Sequence, residues 1–254
     1  MLLEPGSTEG LWPVYKGASF DTWSNDTGEY YGWIEPGVAQ RVLNERRQAS
    51  IGRKGSPFGQ FPRSWFENPD SLPCLHPRLA FRRITRATDS RTVRACLVPP
   101  NVVLTDVAPY LLWPVGDERD QAYLLGVMSS LPLDWYARRM VETHLDFHVL
   151  CPFPVPRAPR ENELRRIVEV ASARLAAVDG RYEEWGASVG VPVASVESDE
   201  AENLVATIDA AVARLYGLSK AEVVHIFETF HVGWDYGARL EAVLAQYQSL
   251  GSTK

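Results

Sequence analysis

The sequence predicts an α+β protein in which a mixed, β-rich domain over residues 1–157 precedes a helical domain over residues 158–254. Short β-compatible runs separated by Pro and Gly fill the first part, which indicates small strands and turns. The second part instead repeats apolar residues every three or four positions, as amphipathic helices do. Between them, four prolines within residues 151–159 favour an extended connector.

The elements of the first part follow from its local patterns. "WPVYKGASFDTW" and "GEYYGWI" predict two strands parted by a turn at "SNDTG", and residues 36–50 predict a helix. Recurring Gly and Pro predict a loop over residues 51–62. "NVVLTD" and "APYLLWPV" predict two more strands, and residues 120–131 predict a helix that Pro132 breaks before a second helix over residues 133–145.

The second part predicts four helices. Residues 161–185 and 200–217 carry the first two, separated by a loop, and Gly217 is a natural C-terminal stop for the second. Ser219 and Glu222 have the spacing of a capping box, which predicts the start of the third helix. "DYGARLEAVLAQYQ" predicts the fourth.

Charge is distributed unevenly along the chain. The formal net charge is -6, yet residues 41–100 hold 12 Lys and Arg against 4 Asp and Glu, giving 12 - 4 = +8. Residues 158–254 hold 9 against 15, giving 9 - 15 = -6. A local excess of this size can attract a polyanion although the total is negative. The alternative is that these cations are scattered over a solvated surface.

The composition also indicates where in the cell the protein is expected. No apolar run approaches the ~20 residues of a membrane span, and the N-terminus does not have the pattern of a secretory signal. The three cysteines are far apart and odd in number, so they do not predict a disulfide framework. We expect a soluble, cytoplasmic protein without a membrane partner.

Motifs that would indicate catalysis are missing. The sequence has no G-x-G-x-x-G, G-x-x-x-x-G-K-[ST], H-E-x-x-H or G-x-S-x-G pattern. His144 and His148 would share a helix face, but a metal site needs further ligands, and only Cys151 and Asp146 are near. Cys74 and His76 lack a third group to orient the base. We therefore predict no catalytic residue and no metal ligand.

Six arginines gather within residues 78–100, around the polar string "ATDS". The flanking segments are β-compatible, so a hairpin with a polar tip is the simplest interpretation. A two-stranded ribbon fits the major groove of DNA, and the arginine fork matches phosphate oxygens or the O6 and N7 of guanine. The alternative is a solvated hairpin whose arginines pair with acids such as Asp89.

Strand alternation would place Arg82 and Arg86 on one face of this hairpin and Arg83 on the other. Arg82, Arg86, Ser90 and Arg91 are predicted as base or near-base contacts. Phosphate contacts, which position the protein on DNA without specifying sequence, are predicted for Lys16, Arg53, Lys54 and Arg83.

Several segments in order resemble a known family. "RLAFRRITRATDSRTVRACLVPPNVVLTDVAPYLL", "YLLGVMSSLPLDWYARR", "PFPVPR" and "IDAAVARLYGLSKAEVVHIFET" are similar to the C-terminal target-recognition region of type IIG-like DNA adenine methyltransferases. These enzymes belong to bacterial restriction–modification and phage-defence systems. "WPVYKGASFD" resembles the stretch that often opens that region.

The resemblance implies that this chain reads a short sequence in double-stranded DNA. It also implies that S-adenosylmethionine binding and adenine methylation belong to a separate methyltransferase domain or subunit. The methyltransferase motif Asn/Asp-Pro-Pro-Tyr/Phe is matched only by "VPPN" at residues 98–101, without its leading polar residue and its aromatic. "NPDSLP" lacks the acid-x-Lys of a nuclease signature. We therefore expect a recognition module without catalytic activity of its own and without a cofactor.

Two hypotheses of other classes remain open at this point. The chain could be a protein-interaction subunit of a defence complex, with the helical part as docking surface and arginines paired with an acidic partner. It could also be a hydrolase or nuclease that uses His76, His144 or His148.

Overall fold

The computed structural model describes residues 8–231 and 233–251, and the chain divides into two compact units. The first unit comprises residues 8–82 and 96–116, and the second comprises residues 83–95 and 117–251. Both strands and helices are present, which confirms the predicted α+β class. The predicted boundary at residue 157 lies inside the second unit, and the assignment of functional domains stays a prediction.

The first unit is built on two small sheets. In the larger sheet β1 lies in the middle, antiparallel to β2 and parallel to β5, with Val14 opposite both Gly32 and Val103. The smaller sheet pairs β3 with β4. The strands are β1 Trp12–Tyr15, β2 Tyr30–Ile34, β3 Arg78–Phe81, β4 Ala95–Val98 and β5 Val103–Leu104.

Two helices complete this unit, α1 (Pro36–Gln48) and α2 (Arg63–Glu67). The Glu35 carboxylate caps α1 by accepting hydrogen bonds from the N–H groups of Gly37 and Val38, and Pro at the first helical position fits a helix start. These backbone bonds hold the pKa of Glu35 below its ordinary value.

One cluster of buried side chains in the first unit combines residues of β1, β3 and β4. Tyr15, Phe20 and Ala80 are fully buried there, and Tyr15 stacks on Tyr30 with ring centroids 5.6 Å apart. The cluster also contains Cys96, Val98, Val102 and Ala108.

The predicted arginine hairpin exists only at its base. Its first strand, β3, ends at Phe81, and its second strand, β4, begins at Ala95. The intervening residues 82–94 are irregular, with the predicted turn at Ala87 and Thr88. Side-chain alternation across a strand therefore does not apply to Arg82, Arg83 or Arg86. The strand predicted over residues 108–115 is also absent, since that segment contributes only a single bridge between Tyr110 and Ala80.

The second unit is helical. Its helices are α3 Glu118–Ser129, α4 Leu131–Ala137, α5 Phe147–Leu150, α6 Glu163–Ala176, α7 Glu183–Val189, α8 Ser198–Leu215, α9 Lys220–Glu228 and α10 Gly237–Ser249. The predicted capping box of Ser219 and Glu222 opens α9, and Gly217 has the left-handed φ of +72° expected of a helix stop. Residues 154–159 belong to neither a helix nor a strand, and the extended conformation of this connector stays a prediction.

Two predicted helices are shorter than their apolar patterns. The helix over residues 133–145 ends at Ala137, because the backbone of residues 143–145 pairs instead with residues 83–85. The helix over residues 161–185 is interrupted after Ala176, where the Asp179 carboxylate caps a 3-10 turn by accepting from the N–H of Arg181.

Apolar side chains from α4, α8, α9 and α10 form one cluster of the core of the second unit. The buried members are Leu131, Ala206, Ala210, Ala213, Val223, Ile226, Phe227, Phe230 and Val243. Among the described residues, no helix combines the length and the apolar character required to cross a membrane.

Candidate nucleic-acid interface

A short basic turn is exposed on the first unit. Arg53 and Lys54 lie between Gly52 and Gly55, whose φ angles of +72° and +77° are in the left-handed region that glycine adopts without strain. Both cations are exposed, and within residues 8–231 and 233–251 neither side chain has a hydrogen bond or ion pair. The turn therefore presents two free positive charges.

Arg47 joins the two helices on either side of the loop that carries this turn. Its side chain is buried, and its guanidinium donates to Oγ of Ser71 at 2.8 Å, Oδ1 of Asn44 at 2.9 Å and the carbonyl of Phe66 at 3.3 Å. It also lies over the Trp65 ring, 4.7 Å from the centroid. Arg47 thus ties α1 to α2 and holds both ends of the loop that carries the turn.

The surrounding sequence contains no counter-charge. Residues 46–66 have no Asp or Glu and five cations, Arg46, Arg47, Arg53, Lys54 and Arg63. Arg46 is exposed near the end of α1, where a cation is favoured by the helix dipole. Sequence reasoning selected Arg53 and Lys54 but missed Arg46 and Arg47. The acid-free stretch was the signal that could have found them.

Two further predicted contacts of the first unit are partnered within the protein. Lys16 forms an ion pair with Glu29 at 3.5 Å, on the surface. Arg82 donates from Nε to the carbonyl of Phe20 at 2.8 Å and pairs with Asp21 at 3.2 Å. A DNA contact by either residue requires exchange of these bonds.

A second group of arginines, in the second unit, surrounds the turn of residues 87–90. The Arg138 guanidinium donates to the carbonyls of Ala87 at 2.6 Å, Asp89 at 2.5 Å and Ser90 at 3.0 Å. Arg138 also lies over the ring of Phe230, 4.1 Å from its centroid. The turn is therefore rigidly anchored at its carbonyls, by a residue that no sequence pattern singled out.

Arg86 projects next to this anchored turn. Its backbone is fixed, because its N–H donates to the Asp89 carboxylate at 3.1 Å and its carbonyl accepts from Oγ1 of Thr92 at 3.4 Å. The residue is exposed, and its guanidinium has no hydrogen bond or ion pair within the described part of the chain. A fixed backbone with a free guanidinium suits recognition of an external acceptor.

The other predicted DNA contacts of this segment form bonds within the protein. Arg83 donates from Nε to Asp146 at 2.6 Å, which lowers the pKa of that carboxyl. Arg91 pairs with buried Asp134, and Oγ of Ser90 accepts from Arg94 at 3.1 Å.

The eight predicted DNA contacts are thus divided between the units. Arg83, Arg86, Ser90 and Arg91 lie in one segment of the second unit, and Lys16, Arg53, Lys54 and Arg82 lie in the first. Which of them contact bases and which contact phosphates stays a prediction.

Two of the three histidines considered as catalytic groups take part in local hydrogen bonds. Nδ1 of His144 lies 2.9 Å from Oγ1 of Thr143, and Nε2 of His76 lies 2.6 Å from the carbonyl of Asp70. Within the described residues, no group of three or more His, Cys, Asp or Glu side chains could hold a metal ion.

Comparison with known proteins gives one structural likeness. No protein-family model and no curated protein matches the chain. The chain is similar to the type IIL restriction–modification enzyme MmeI, solved in complex with DNA, with 15% identity and a TM-score of 0.39. The likeness covers 98% of this chain and 32% of that enzyme, so the chain spans about a third of its length.

Proposed function

We propose that this chain binds duplex DNA with sequence preference, as the recognition module of a DNA adenine methyltransferase or restriction–modification complex. The observation that carries the proposal is the exposed turn of Arg53 and Lys54, set between two glycines in an acid-free stretch of the first unit. Unpaired cations on a fixed loop neutralise phosphates and release counterions, which supplies most of the affinity of non-specific DNA binding.

Arg86 supplies the element of specificity in this proposal. Its guanidinium is free, while Arg138 holds the neighbouring turn by three carbonyls. A guanidinium on a rigid support can make the bidentate contact to guanine that distinguishes one base pair from another. Arg83 and Arg91 would support this segment through their internal ion pairs.

The division of labour follows from the resemblance in sequence. Binding of S-adenosylmethionine and methylation would belong to a separate catalytic domain or subunit, and we propose no site for that cofactor in this chain. The acidic charge of residues 158–254 disfavours contact with phosphates. This part would instead brace the recognition segment or dock the catalytic partner.

The proposal is tested by selection from a pool of random-sequence duplex DNA with the purified chain, followed by a salt titration on the enriched sequence. We expect a short motif to be enriched. Replacing Arg53 or Lys54 by Gln should weaken binding to all DNA sequences alike. It should also reduce the slope of log affinity against log salt concentration by about one per phosphate contact. Arg86→Gln should instead cost about 1–3 kcal/mol and relax the preference at one position.

Arg166→Gln is the matched control, because Arg166 is an exposed arginine in the acidic helical part and its removal changes the net charge equally. It should leave binding unchanged. Binding without enrichment would reduce the site to a basic patch. No binding at low salt would contradict the proposal for the isolated chain and favour the protein-interaction alternative.

A further inference from the structure

The first unit contains a cavity of about 200 Å³ beside α1. Three arginines line it, Arg46, Arg47 and Arg78, with the hydroxyl-bearing ring of Tyr110. The remaining wall is Cys74 with leucine, proline and phenylalanine side chains, and no carboxylate lines it. The cavity is therefore apolar in its walls and positive in charge.

Two of these arginines are buried without an acidic partner. Arg78 is only 6% exposed, donates to the carbonyl of Val102 at 2.7 Å and lies over Tyr110, 5.2 Å from the ring centroid. Arg47 is 1% exposed and donates only to neutral acceptors. In the part of the chain that is described, neither forms an ion pair, and Nε of each is buried without a hydrogen-bond partner.

Neutral acceptors and aromatic rings surround these two charges, but no carboxylate of the described residues pairs with them. Charged side chains are almost never fully buried unless paired, because desolvation of the ion is then uncompensated. Burial accordingly lowers the pKa of both Arg47 and Arg78. An anion in the cavity would supply the missing negative charge and accept from the unused donors.

We propose that this cavity binds a phosphate monoester that carries a ring-sized apolar body. A carboxylate is satisfied by one guanidinium fork, whereas a dianionic phosphate with three terminal oxygens matches several arginines. An apolar cavity of ~150 Å³ already admits benzene, so a cavity of about 200 Å³ accommodates a ring beside the charged group. Arg46, which is exposed on α1, would guide the anion into the cavity.

Two sources carry this chemistry, a free mononucleotide and the 5′-phosphorylated end of a DNA strand. Either goes beyond recognition of intact duplex DNA, whose backbone offers only phosphate diesters. The site is also separate from the Arg53–Lys54 turn, which does not line this cavity.

The test is calorimetric titration of the full chain with phenyl phosphate, with phenol and inorganic phosphate as partial probes. We expect phenyl phosphate to bind at least tenfold more tightly than either partial probe. Arg46→Gln should weaken that binding at least fivefold. Arg41→Gln is the matched control, because Arg41 is also exposed on α1 but does not line the cavity, and it should bind normally.

Arg78→Gln should abolish binding, and circular dichroism would establish that this variant folds. If it does not fold, Arg46→Gln against Arg41→Gln decides the question alone. Failure of phenyl phosphate to bind, or equal binding by wild type and Arg46→Gln, would overturn the proposal.

Two further probes identify the source. A preference for 5′-phosphorylated over 5′-hydroxyl oligonucleotides, lost in Arg46→Gln, would assign the site to DNA ends. Binding of thymidine monophosphate without that preference would assign it to a free nucleotide. Arg53→Gln and Lys54→Gln should leave phenyl phosphate binding unchanged, so failure of this proposal is distinguishable from failure of DNA recognition.

Discussion

Arg91 donates from Nε to Oδ2 of Asp134 across 2.6 Å, and the Asp134 carboxylate is fully buried. The same carboxylate accepts from the backbone N–H groups of Thr92 and Val93, both at 3.0 Å. Arg91 also donates from Nη2 to the carbonyl of Ser129 at 2.6 Å. The irregular segment that carries Arg86 is thereby fastened to the junction of α3 and α4.

Removing one partner of this buried pair should destabilise the protein strongly. Asp134→Ala leaves Arg91 unpaired and two backbone donors unsatisfied, so we expect a loss of about 3–5 kcal/mol in the free energy of unfolding. Urea denaturation followed by circular dichroism measures this loss. Arg86→Gln is the control, because an exposed side chain without partners should change stability by less than about 0.5 kcal/mol. A loss below about 1 kcal/mol for Asp134→Ala would contradict the anchoring role.

Substitution of Arg86 should affect DNA binding, whereas substitution of Arg91 should affect stability. Arg86→Gln should lower affinity for the preferred sequence while leaving stability unchanged, since its guanidinium is free. Arg91→Gln should lower the free energy of unfolding. Any loss of DNA affinity in this variant should diminish when binding is measured well below its unfolding temperature. Equal losses of affinity in two equally stable variants would assign a direct DNA contact to Arg91 as well.

The sequence predicted correctly those features that depend on hydrogen bonds or torsions between residues close in sequence. The capping box of Ser219 and Glu222 and the stop at Gly217 are both present. Each depends on hydrogen bonds or torsions within a few residues, which the sequence pattern records directly.

The arginine segment was mispredicted because its bonds are not local. Thr92 is fully buried and donates its N–H to Asp134, 42 positions away in sequence. Arg138 holds the turn from about 50 positions away. A β-compatible run cannot reveal that such distant groups replace the ladder bonds, so the strand ends at Phe81. The same reason explains why the free guanidinium of Arg86 could not be distinguished from its partnered neighbours in the sequence.

Gly126 is required by the close packing of α3 against α6. A Cβ at this position would lie 2.5 Å from Cγ1 of Val168 and still closer to Oγ of Ser172. Gly126→Ala should therefore overpack the contact and lower stability by about 1–3 kcal/mol, although Ala favours a helix. Thermal unfolding measures the effect. Gly126→Ala combined with Ser172→Ala should recover part of the loss, and a stabilised single variant would contradict this packing.

The three cysteines should react at different rates. Cys74 and Cys96 are buried, and burial raises the pKa of both thiols, whereas Cys151 is exposed. Because the thiolate is the reactive form, a disulfide reagent should titrate one thiol in the native protein and three in denaturant. Cys151→Ser should remove the fast phase. A fast phase that persists in this variant would show that Cys74 or Cys96 is accessible.

Asp117 links stability to acidic pH. Its carboxylate caps α3 by accepting from the N–H of Arg119 at 3.1 Å, and it pairs with Arg160 at 2.6 Å. The hydrogen bond from Arg160, followed by the backbone bonds, lowers the pKa of Asp117 from its ordinary value of 3.8. A carboxyl whose pKa is lower in the folded state stabilises the protein above its unfolded pKa, and this stabilisation is lost as pH falls through the folded value.

The variant Asp117→Asn isolates this charge, because Asn is also a good helix cap. The wild type should be the more stable protein near neutral pH, and the difference should stay constant down to about pH 5. It should then shrink as the pH falls below about 3.8, where the carboxyl becomes protonated in the unfolded chain, and it should vanish below the lowered pKa of the folded protein. Urea denaturation over this range measures the difference, with Arg160→Gln as a second variant that removes this ion pair together with the pair between Arg160 and Asp120. A difference that persists unchanged to the lowest pH would mean that Asp117 acts through its neutral hydrogen bonds alone.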